Sequence, residues 1–206
     1  MCCARHTDKV NEEEPWAPKS WLDTGTEMYQ QLVKNLQEFQ VLVVVGSPGS
    51  GKTSSVPWAT KYALQKQLGR EVYVDCTVPR RQQALNMSKY LDKESDDYHW
   101  YRPTHGDIGY GVGGEASERG RYVNYYTGGY FLQLYPTMDK LGKIDALIID
   151  ECHEQSMEID AVVELAEILL KKKCHTKIIL MSATLAGTKS QRAFHISGTV
   201  WEILLF

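Results

Sequence analysis

The stretch VLVVVGSPGSGKT, residues 41–53, constrains the fold of this chain more than any other feature. Five apolar residues in a row, without alternation, predict a strand that is buried on both faces, as in the middle of a parallel sheet. The small residues that follow allow a tight bend, in which backbone N–H groups converge at a helix N-terminus and form an anion site. The segment therefore predicts a strand, a phosphate-binding loop and a helix, in that order.

The loop matches the full pattern G-x-x-x-x-G-K-[ST] between Gly46 and Thr53. Lys52 supplies a point charge for the β and γ phosphates of a nucleotide, and the Thr53 hydroxyl is a suitable ligand for Mg²⁺. Residues 54–68 predict the helix, with Pro57 near its first turn. We therefore predict that nucleotide is bound by Gly46, Ser47, Pro48, Gly49, Ser50, Gly51, Lys52, Thr53 and Ser54. The alternative is a plain Gly/Ser turn between a strand and a helix.

A second apolar strand, residues 146–149, ends in two acids, Asp150 and Glu151. In open α/β sheets, ligands bind beyond the C-terminal ends of the strands. We predict that Asp150 holds Mg²⁺ through its water shell and that Glu151 orients or deprotonates the attacking water. Lys52, Asp150 and Glu151 are thus the predicted catalytic residues, and Thr53, Asp150 and Glu151 the predicted metal site. The alternative is a solvated strand end.

The segments GSPGSGKT, DECH (150–153) and MSATL (181–185), in this order, resemble motifs I, II and III of the superfamily two helicases. TVPRRQQA (77–84) is similar to motif Ia of the DEAH-box RNA helicases, and YYTGG (125–129) to their motif Ib region. The resemblance extends over residues 23–200. It implies the first RecA-like lobe of a DEAH/DExH-type RNA helicase: an α/β P-loop NTPase fold with a mostly parallel sheet between helices, using ATP and Mg²⁺.

The same resemblance implies roles for residues outside the nucleotide loop. It assigns RNA contacts to Arg80, Arg81 and Thr127. It assigns the coupling between nucleotide state and lobe movement to His153, Ser182 and Thr184. The chain departs from the family pattern at Val78, where Gln is usual, and at Gly128, where Asp is usual. From the residues alone, the arginines could equally be a solvent-facing pair that opens a helix, and the Ser/Thr pair an ordinary strand end.

The family resemblance also implies a second RecA-like lobe, in cis or in trans, whose arginine fingers stabilise the charge of the transition state. We therefore expect this lobe alone to be weak or inactive as an enzyme. Together with a second lobe, the chain would couple ATP hydrolysis to RNA strand separation or remodelling. The alternative function is a nucleotide-gated interaction module, or pseudo-helicase, that binds ATP or RNA without turnover.

Composition limits these hypotheses further. The chain has 206 residues, is 43% apolar and carries a net charge of −3. The charge argues against a broad nucleic-acid footprint, but not against the few backbone contacts to single-stranded RNA that the resemblance implies. No apolar stretch approaches a membrane span or a signal peptide, which predicts a cytoplasmic or nuclear protein that contacts no membrane. We predict a flexible leader (1–20), one domain (21–200) and the start of a connection to a missing second lobe (201–206), with the last strand of the lobe within residues 195–206.

Alternating elements complete the prediction of a parallel sheet with helices on both faces. The predicted helices are residues 26–39, 54–68, 81–91, 129–134 and 157–172, and the predicted strands are residues 41–45, 70–76, 121–126, 146–149 and 177–182. The glycine-rich residues 111–120 predict the turn of a hairpin that leads to Arg121.

Overall fold

The computed structural model of the chain describes residues 26–93, 106–114, 117–134, 144–154, 156–172, 175–183 and 202–205. The strands of this part of the chain are β1 (Val41–Val45), β2 (Val74–Val78), β3 (Ile108–Gly111), β4 (Val123–Thr127), β5 (Ala146–Ile149), β6 (Lys177–Ser182) and β7 (Glu202–Leu205). They form one sheet in the order β3-β4-β2-β5-β6-β1-β7, and every neighbouring pair is parallel.

Helices cover both faces of this sheet. They are α1 (Glu27–Glu38), α2 (Lys52–Leu68), α3 (Arg81–Lys93), α4 (Gly128–Leu134) and α5 (Met157–Lys171). Residues of α1, α2 and α3 share one buried cluster with one face of the sheet, and residues of α4 and α5 share a second cluster with the other face. The predicted α/β fold, with a parallel sheet between helices, is confirmed.

Strand β1 shows why its sequence lacks polar alternation. Leu42 and Val44 point into the cluster beneath α1, α2 and α3, while Val41, Val43 and Val45 point into the cluster beneath α4 and α5. Both faces of the strand are therefore removed from water, and each position gains from an apolar side chain. In the described part of the chain, no helix is long and apolar enough to cross a membrane.

The predicted strand 70–76 lies too early in the chain, since β2 is Val74–Val78. The backbone of Tyr73 bonds to the residue before β5 instead of to a strand ladder: its N–H donates to the Asp145 carboxylate, and its carbonyl accepts the Asp145 N–H, both at 2.9 Å. At its other end β2 continues in register to Val78, opposite Thr127. A local side-chain acceptor thus displaces the start of the strand.

Strand β3 was not among the predicted strands. Tyr110 and Glu118 exchange two backbone hydrogen bonds of 2.7 and 3.0 Å, as expected at the base of the predicted hairpin, whose residues 115 and 116 lie outside the described residues. After the hairpin, the backbone at Gly120 passes close to Gly109 of β3, and β4 then runs parallel to β3. This close approach requires glycine, since a Cβ on Gly109 would lie 1.9 Å from the backbone nitrogen of Gly120.

The last residues of the chain also differ from expectation. The last strand was predicted within residues 195–206, with the connection starting at residue 201; the strand that pairs in parallel with β1 is Glu202–Leu205, inside the part assigned to the connection. Strand β7 therefore belongs to the sheet, and the domain extends beyond the predicted boundary at residue 200. The predicted leader, residues 1–20, lies outside the described residues.

One buried pair of polar residues joins β2 to β4. Asp75 and Asn124 lie opposite each other in register, and the Asn124 side-chain amide donates to the Asp75 carboxylate at 3.2 Å. The Asn124 oxygen in turn accepts the N–H of Gly120 at 2.8 Å. Burial raises the pKa of Asp75 to about 7, although the bond from Asn124 and the charge of Arg119 oppose the rise. This carboxyl therefore keeps its proton in the folded chain at pH values where the unfolded chain has lost it.

Asp75→Asn should remove a pH dependence of stability. Because the folded pKa of about 7 exceeds the usual 3.8, the contribution of Asp75 is complete below the lower value and is lost as pH rises to the upper one. We expect the free energy of unfolding of the wild type, relative to the variant, to fall by about 1.4 kcal/mol per pH unit across that window. Urea titrations at a series of pH values measure this difference.

The exposed Glu164→Gln is the control for removing one carboxylate from the chain. The difference in free energy of unfolding between wild type and Asp75→Asn should change with pH. If this difference were the same at about pH 5 and about pH 8, Asp75 would be ionised in the folded protein throughout this range.

Candidate functional site: an acid pair beside a phosphate loop

The predicted site residues that the structure describes lie at one edge of the sheet. All neighbouring strands are parallel, so the C-terminal ends of β1, β2, β4, β5 and β6 meet at this edge. The phosphate loop follows β1, the DECH segment follows β5, and the TVPRR segment leaves β2. Three segments that are distant in sequence are therefore neighbours at the edge where α/β proteins bind ligands.

The loop from Gly46 to Gly51 has the backbone of an anion site. Gly49 and Gly51 have positive φ values of 77° and 82°, which residues with a Cβ rarely adopt. Gly51 caps α2 and, having no side chain, makes no capping hydrogen bond to the first amides of that helix. Ser47, Pro48 and Gly49 are exposed, whereas Ser50 and Gly51 are half-buried. The amides at the start of α2 are thus available to an anion.

Helix α2 begins at Lys52, two residues earlier than predicted, which places Lys52 and Thr53 in its first turn. The Lys52 ammonium is buried and donates to the carbonyls of Gly46, at 2.6 Å, and Ser47, at 2.9 Å. An ammonium carries three N–H donors, so a third remains for a phosphate oxygen. Ser54 closes the same turn, since its hydroxyl donates to the Gly51 carbonyl at 3.0 Å.

Thr53 and Asp150 join the phosphate loop to the DECH segment. The Thr53 hydroxyl donates to Oδ2 of Asp150 at 2.6 Å, and Oδ1 of Asp150 accepts the backbone N–H of Glu151 at 2.9 Å. Asp150 is only 1% exposed. Burial raises its pKa to about 6; the bond from Thr53 opposes this rise, and the charge of Glu151 adds to it. A nearby cation would favour the ionised carboxylate.

This pair of oxygens fits Mg²⁺ by its chemistry. Carboxylate and hydroxyl oxygens are the hard ligands that Mg²⁺ prefers, and it takes few of them from a protein. The Thr53 hydroxyl can donate its proton to Asp150 and still offer a lone pair to a cation. Thr53 and Asp150 are therefore the residues best arranged to hold the ion, with Glu151 beside them.

Glu151 is turned away from Asp150. Its φ of +48° is the one positive value among the described non-glycine residues, and such a conformation is strained for a side chain with a Cβ. Its Oε2 atom is buried and has no hydrogen-bond partner among the described residues, although it lies 3.2 Å from Nδ1 of His153. A carboxylate oxygen that lacks a donor is suited to accept one from a water molecule.

His153 and Ser182 meet across the same edge. The Ser182 hydroxyl lies 3.2 Å from Nδ1 of His153, and the Cys152 N–H donates to the carbonyl of Met181 at 2.9 Å. The Ser182 carbonyl also accepts the N–H of Gly46 at 3.1 Å. The end of β6 thus touches both the DECH segment and the phosphate loop. The third predicted coupling residue, Thr184, lies outside the described residues.

Arg80, Arg81 and Thr127 lie beside this group. The Arg80 side chain is 78% exposed and pairs with Glu154 at 3.7 Å, and the exposed Arg81 is the first residue of α3. Thr127 ends β4 opposite Val78, the residue that replaces the usual Gln. Val78 is buried, so its side chain points into the core. The two arginines and Thr127 are therefore the polar groups that this part of the edge offers to a ligand.

Sequence reasoning missed two residues that contact the site. Gln83, in the first turn of α3, donates its side-chain amide to Oδ2 of Asp150 at 3.2 Å. Tyr125, fully buried in β4, donates its hydroxyl to the backbone carbonyl of Thr53 at 3.0 Å. Both residues fall within the segments TVPRRQQA and YYTGG, but neither pattern shows which way a side chain points.

The bond from Tyr125 is explained by Pro57. In a regular helix the carbonyl of Thr53 would accept the N–H of the residue four positions later, which is Pro57 and has none. The Tyr125 hydroxyl supplies the missing donor from the neighbouring sheet. A proline inside α2 thus ties the backbone of Thr53 to β4.

The fold and the edge define a class of protein: a nucleotide-binding α/β domain with a phosphate loop. A model of the DEAD/DEAH box helicase family matches residues 26–193, which is most of the chain. The chain therefore belongs to the DEAD/DEAH box helicase family and contains an ATP-binding helicase domain of the RecA-like type.

Tyr125→Phe should destabilise the fold by about 1 to 2 kcal/mol, because it leaves the Thr53 carbonyl without the donor that Pro57 cannot provide. Thermal unfolding measures the loss, which corresponds to about 2 to 4 °C per kcal/mol in a chain of this size. Tyr122→Phe is the matched control, since the hydroxyl of Tyr122 bonds to Glu71 at an exposed position.

A double-mutant cycle with Pro57→Ala tests the explanation. Alanine at position 57 restores an N–H for the Thr53 carbonyl, so Tyr125→Phe should cost less in that background than in the wild type. Equal losses in the two backgrounds would mean that Tyr125 does not replace the donor missing at Pro57.

Proposed function

We propose that this chain is the first RecA-like lobe of a DEAH/DExH-type RNA helicase. It binds ATP with Mg²⁺ and hydrolyses it to separate or remodel RNA strands, and it needs a second RecA-like lobe for full activity. The observation that carries the proposal is the 2.6 Å bond between Thr53 and Asp150, because it joins the phosphate loop to the DECH segment. Nucleotide chemistry needs both parts in one place.

Each residue of the edge has a role in this proposal. The phosphate loop, residues 46–54, and the ammonium of Lys52 bind the phosphates, with the free backbone N–H groups at the start of α2 as the amide donors. Thr53 and Asp150 hold Mg²⁺, which when bound neutralises charge on the phosphate oxygens. Glu151 orients the attacking water and accepts its proton, a role supported by its buried Oε2 atom, which accepts no hydrogen bond among the described residues and lies 3.2 Å from His153 Nδ1. His153 and Ser182, in contact at 3.2 Å, pass changes at the phosphates toward the second lobe.

The choice of RNA and of the DEAH/DExH subtype rests on the segments beside the acid pair. TVPRR is similar to DEAH motif Ia, and its two arginines lie at the edge that carries the nucleotide residues. Arg80, Arg81 and the Thr127 hydroxyl would contact the RNA backbone. A net charge of −3 favours a few such contacts over a broad basic surface. The partner we propose is therefore single-stranded RNA.

Glu151→Gln should abolish ATP hydrolysis and leave ATP binding within about threefold of the wild type, because the substitution removes the base and keeps the size of the side chain. We expect at least about a hundredfold loss of turnover, within the range for a general base. Glu164→Gln is the control for the loss of one carboxylate, since Glu164 is an exposed residue of α5 outside the site. Phosphate release, measured with a second lobe supplied in trans and with RNA, reports turnover.

Lys52→Ala separates this proposal from its alternative. In an active ATPase it should abolish both nucleotide binding and hydrolysis. If the wild type bound Mg-ATP but showed no turnover with RNA and a second lobe, the nucleotide-gated interaction module would be correct. Turnover that persisted in Lys52→Ala would mean that another site hydrolyses ATP.

Arg81→Ala should weaken binding to a fluorescein-labelled single-stranded RNA, because it removes one phosphate contact. Fluorescence anisotropy should show a loss of several-fold and a shallower salt dependence, by about one charge. Arg70→Ala is the control, since Arg70 pairs with Asp145 before β5 begins, at the opposite edge of the sheet. Equal affinity of both variants, or equal binding of a DNA oligonucleotide of the same sequence, would contradict the assignment of RNA to this edge.

A further inference from the structure

Gln83 makes a contact that the proposed mechanism does not use. Its side-chain amide donates to Oδ2 of Asp150 at 3.2 Å, the same oxygen that accepts the Thr53 hydroxyl at 2.6 Å. Gln83 is half-buried at the start of α3, whereas its neighbour Gln82 is exposed and bonds to Asn86 along the helix. Two adjacent glutamines of one helix thus have different partners, and only Gln83 reaches the acid pair.

The contact limits how Asp150 can turn. An ionised carboxylate has about four positions for hydrogen-bond donors. Three donors occupy Asp150: the Thr53 hydroxyl, the Gln83 amide and the Glu151 N–H. They approach both oxygens from three separate elements, so rotation about the carboxylate axis would break at least one bond. The three donors therefore set the direction of the one acceptor position that remains on the Asp150 carboxylate.

Gln83 is itself held in place. The backbone carbonyl of Arg80 accepts the N–H groups of Gln83, at 3.0 Å, and Ala84, at 3.2 Å, which fixes the first turn of α3. Ala84 is fully buried in the core beneath that turn. The Arg80 side chain pairs with Glu154 at the far side of the DECH turn. The start of α3 therefore contacts the DECH turn at two points, and the Gln83 side chain extends from a fixed backbone position.

From this geometry we infer that Gln83 is a positioning residue: its amide orients Asp150 for the divalent cation. The inference rests on the proposed function in so far as Asp150 holds the ion. Gln83 itself contacts no substrate, and it acts only through the carboxylate. Residues that hold a metal-binding group in this way commonly change metal affinity by about 10- to 100-fold when they are replaced.

Gln83→Met tests the inference, because methionine keeps the unbranched shape and the helix propensity but offers no donor. Free Mn²⁺ is followed by electron paramagnetic resonance while it is titrated into protein that holds a non-hydrolysable ATP analogue. We expect about tenfold weaker Mn²⁺ affinity in Gln83→Met and no change in Gln82→Met, the matched control. Affinity within about twofold of the wild type in Gln83→Met would overturn the inference.

A second measurement reads the contact without metal or nucleotide. The side-chain amide signal of Gln83, assigned in ¹⁵N-labelled protein by its loss in Gln83→Met, should shift in Asp150→Ala, while that of Gln82 should not. An unshifted Gln83 signal would overturn the inference even if metal affinity had fallen. If the wild type bound no Mn²⁺ with the analogue while the Gln83 signal shifted, the proposed function would fail and the positioning contact would stand.

Discussion

The bond between Thr53 and Asp150 joins residues 97 positions apart in the chain, and it depends on the register of three buried strands. Strand β6 lies between β1 and β5; Val45 is opposite Ser182, and Ile149 is opposite Leu180. A slip of one residue would turn the inward side chains of a strand to the opposite face. The apolar patterns of these strands therefore do more than form a core, because they also set the distance between the phosphate loop and the acid pair.

The two acids take different directions for a simple geometric reason. Successive side chains of a strand point to opposite faces. Ile149 points to the face covered by α4 and α5, so Asp150, the next residue, points to the face covered by α2 and α3. The left-handed backbone of Glu151 then leaves strand geometry and directs its carboxylate toward His153. One acid is thus fixed by donors from two helices, and the other keeps an oxygen without a donor. This difference suits an ion-holding group and a base, respectively.

The sequence was sufficient for the architecture and for the position of the phosphate loop between β1 and α2, because apolar runs and glycine spacing act locally. Contacts between elements were harder to predict. Neither Gln83 nor Tyr125 carries a local signal, since the value of each lies in which face of the sheet its element covers. Strand β3 is half glycine, a residue that disfavours strands, and it forms because neighbouring backbone groups pair with it. The start of β2 shifted because the Asp145 carboxylate binds the backbone before it.

The position of Arg80 has a consequence for how RNA would act on the site. Its pair with Glu154 joins exposed groups at 3.7 Å, and such surface pairs contribute about 0 to 1 kcal/mol. Under the proposed function, an RNA phosphate can therefore replace Glu154 at little cost. The backbone N–H of Glu154 donates to the carbonyl of Glu151 at 2.8 Å, so the turn that carries the proposed base is closed by its backbone and does not depend on the pair with Arg80. Asp150 is likewise held by three donors, of which only the Glu151 N–H belongs to that turn. Under the proposed function, RNA would therefore change the partner of Arg80 and leave both acids in place.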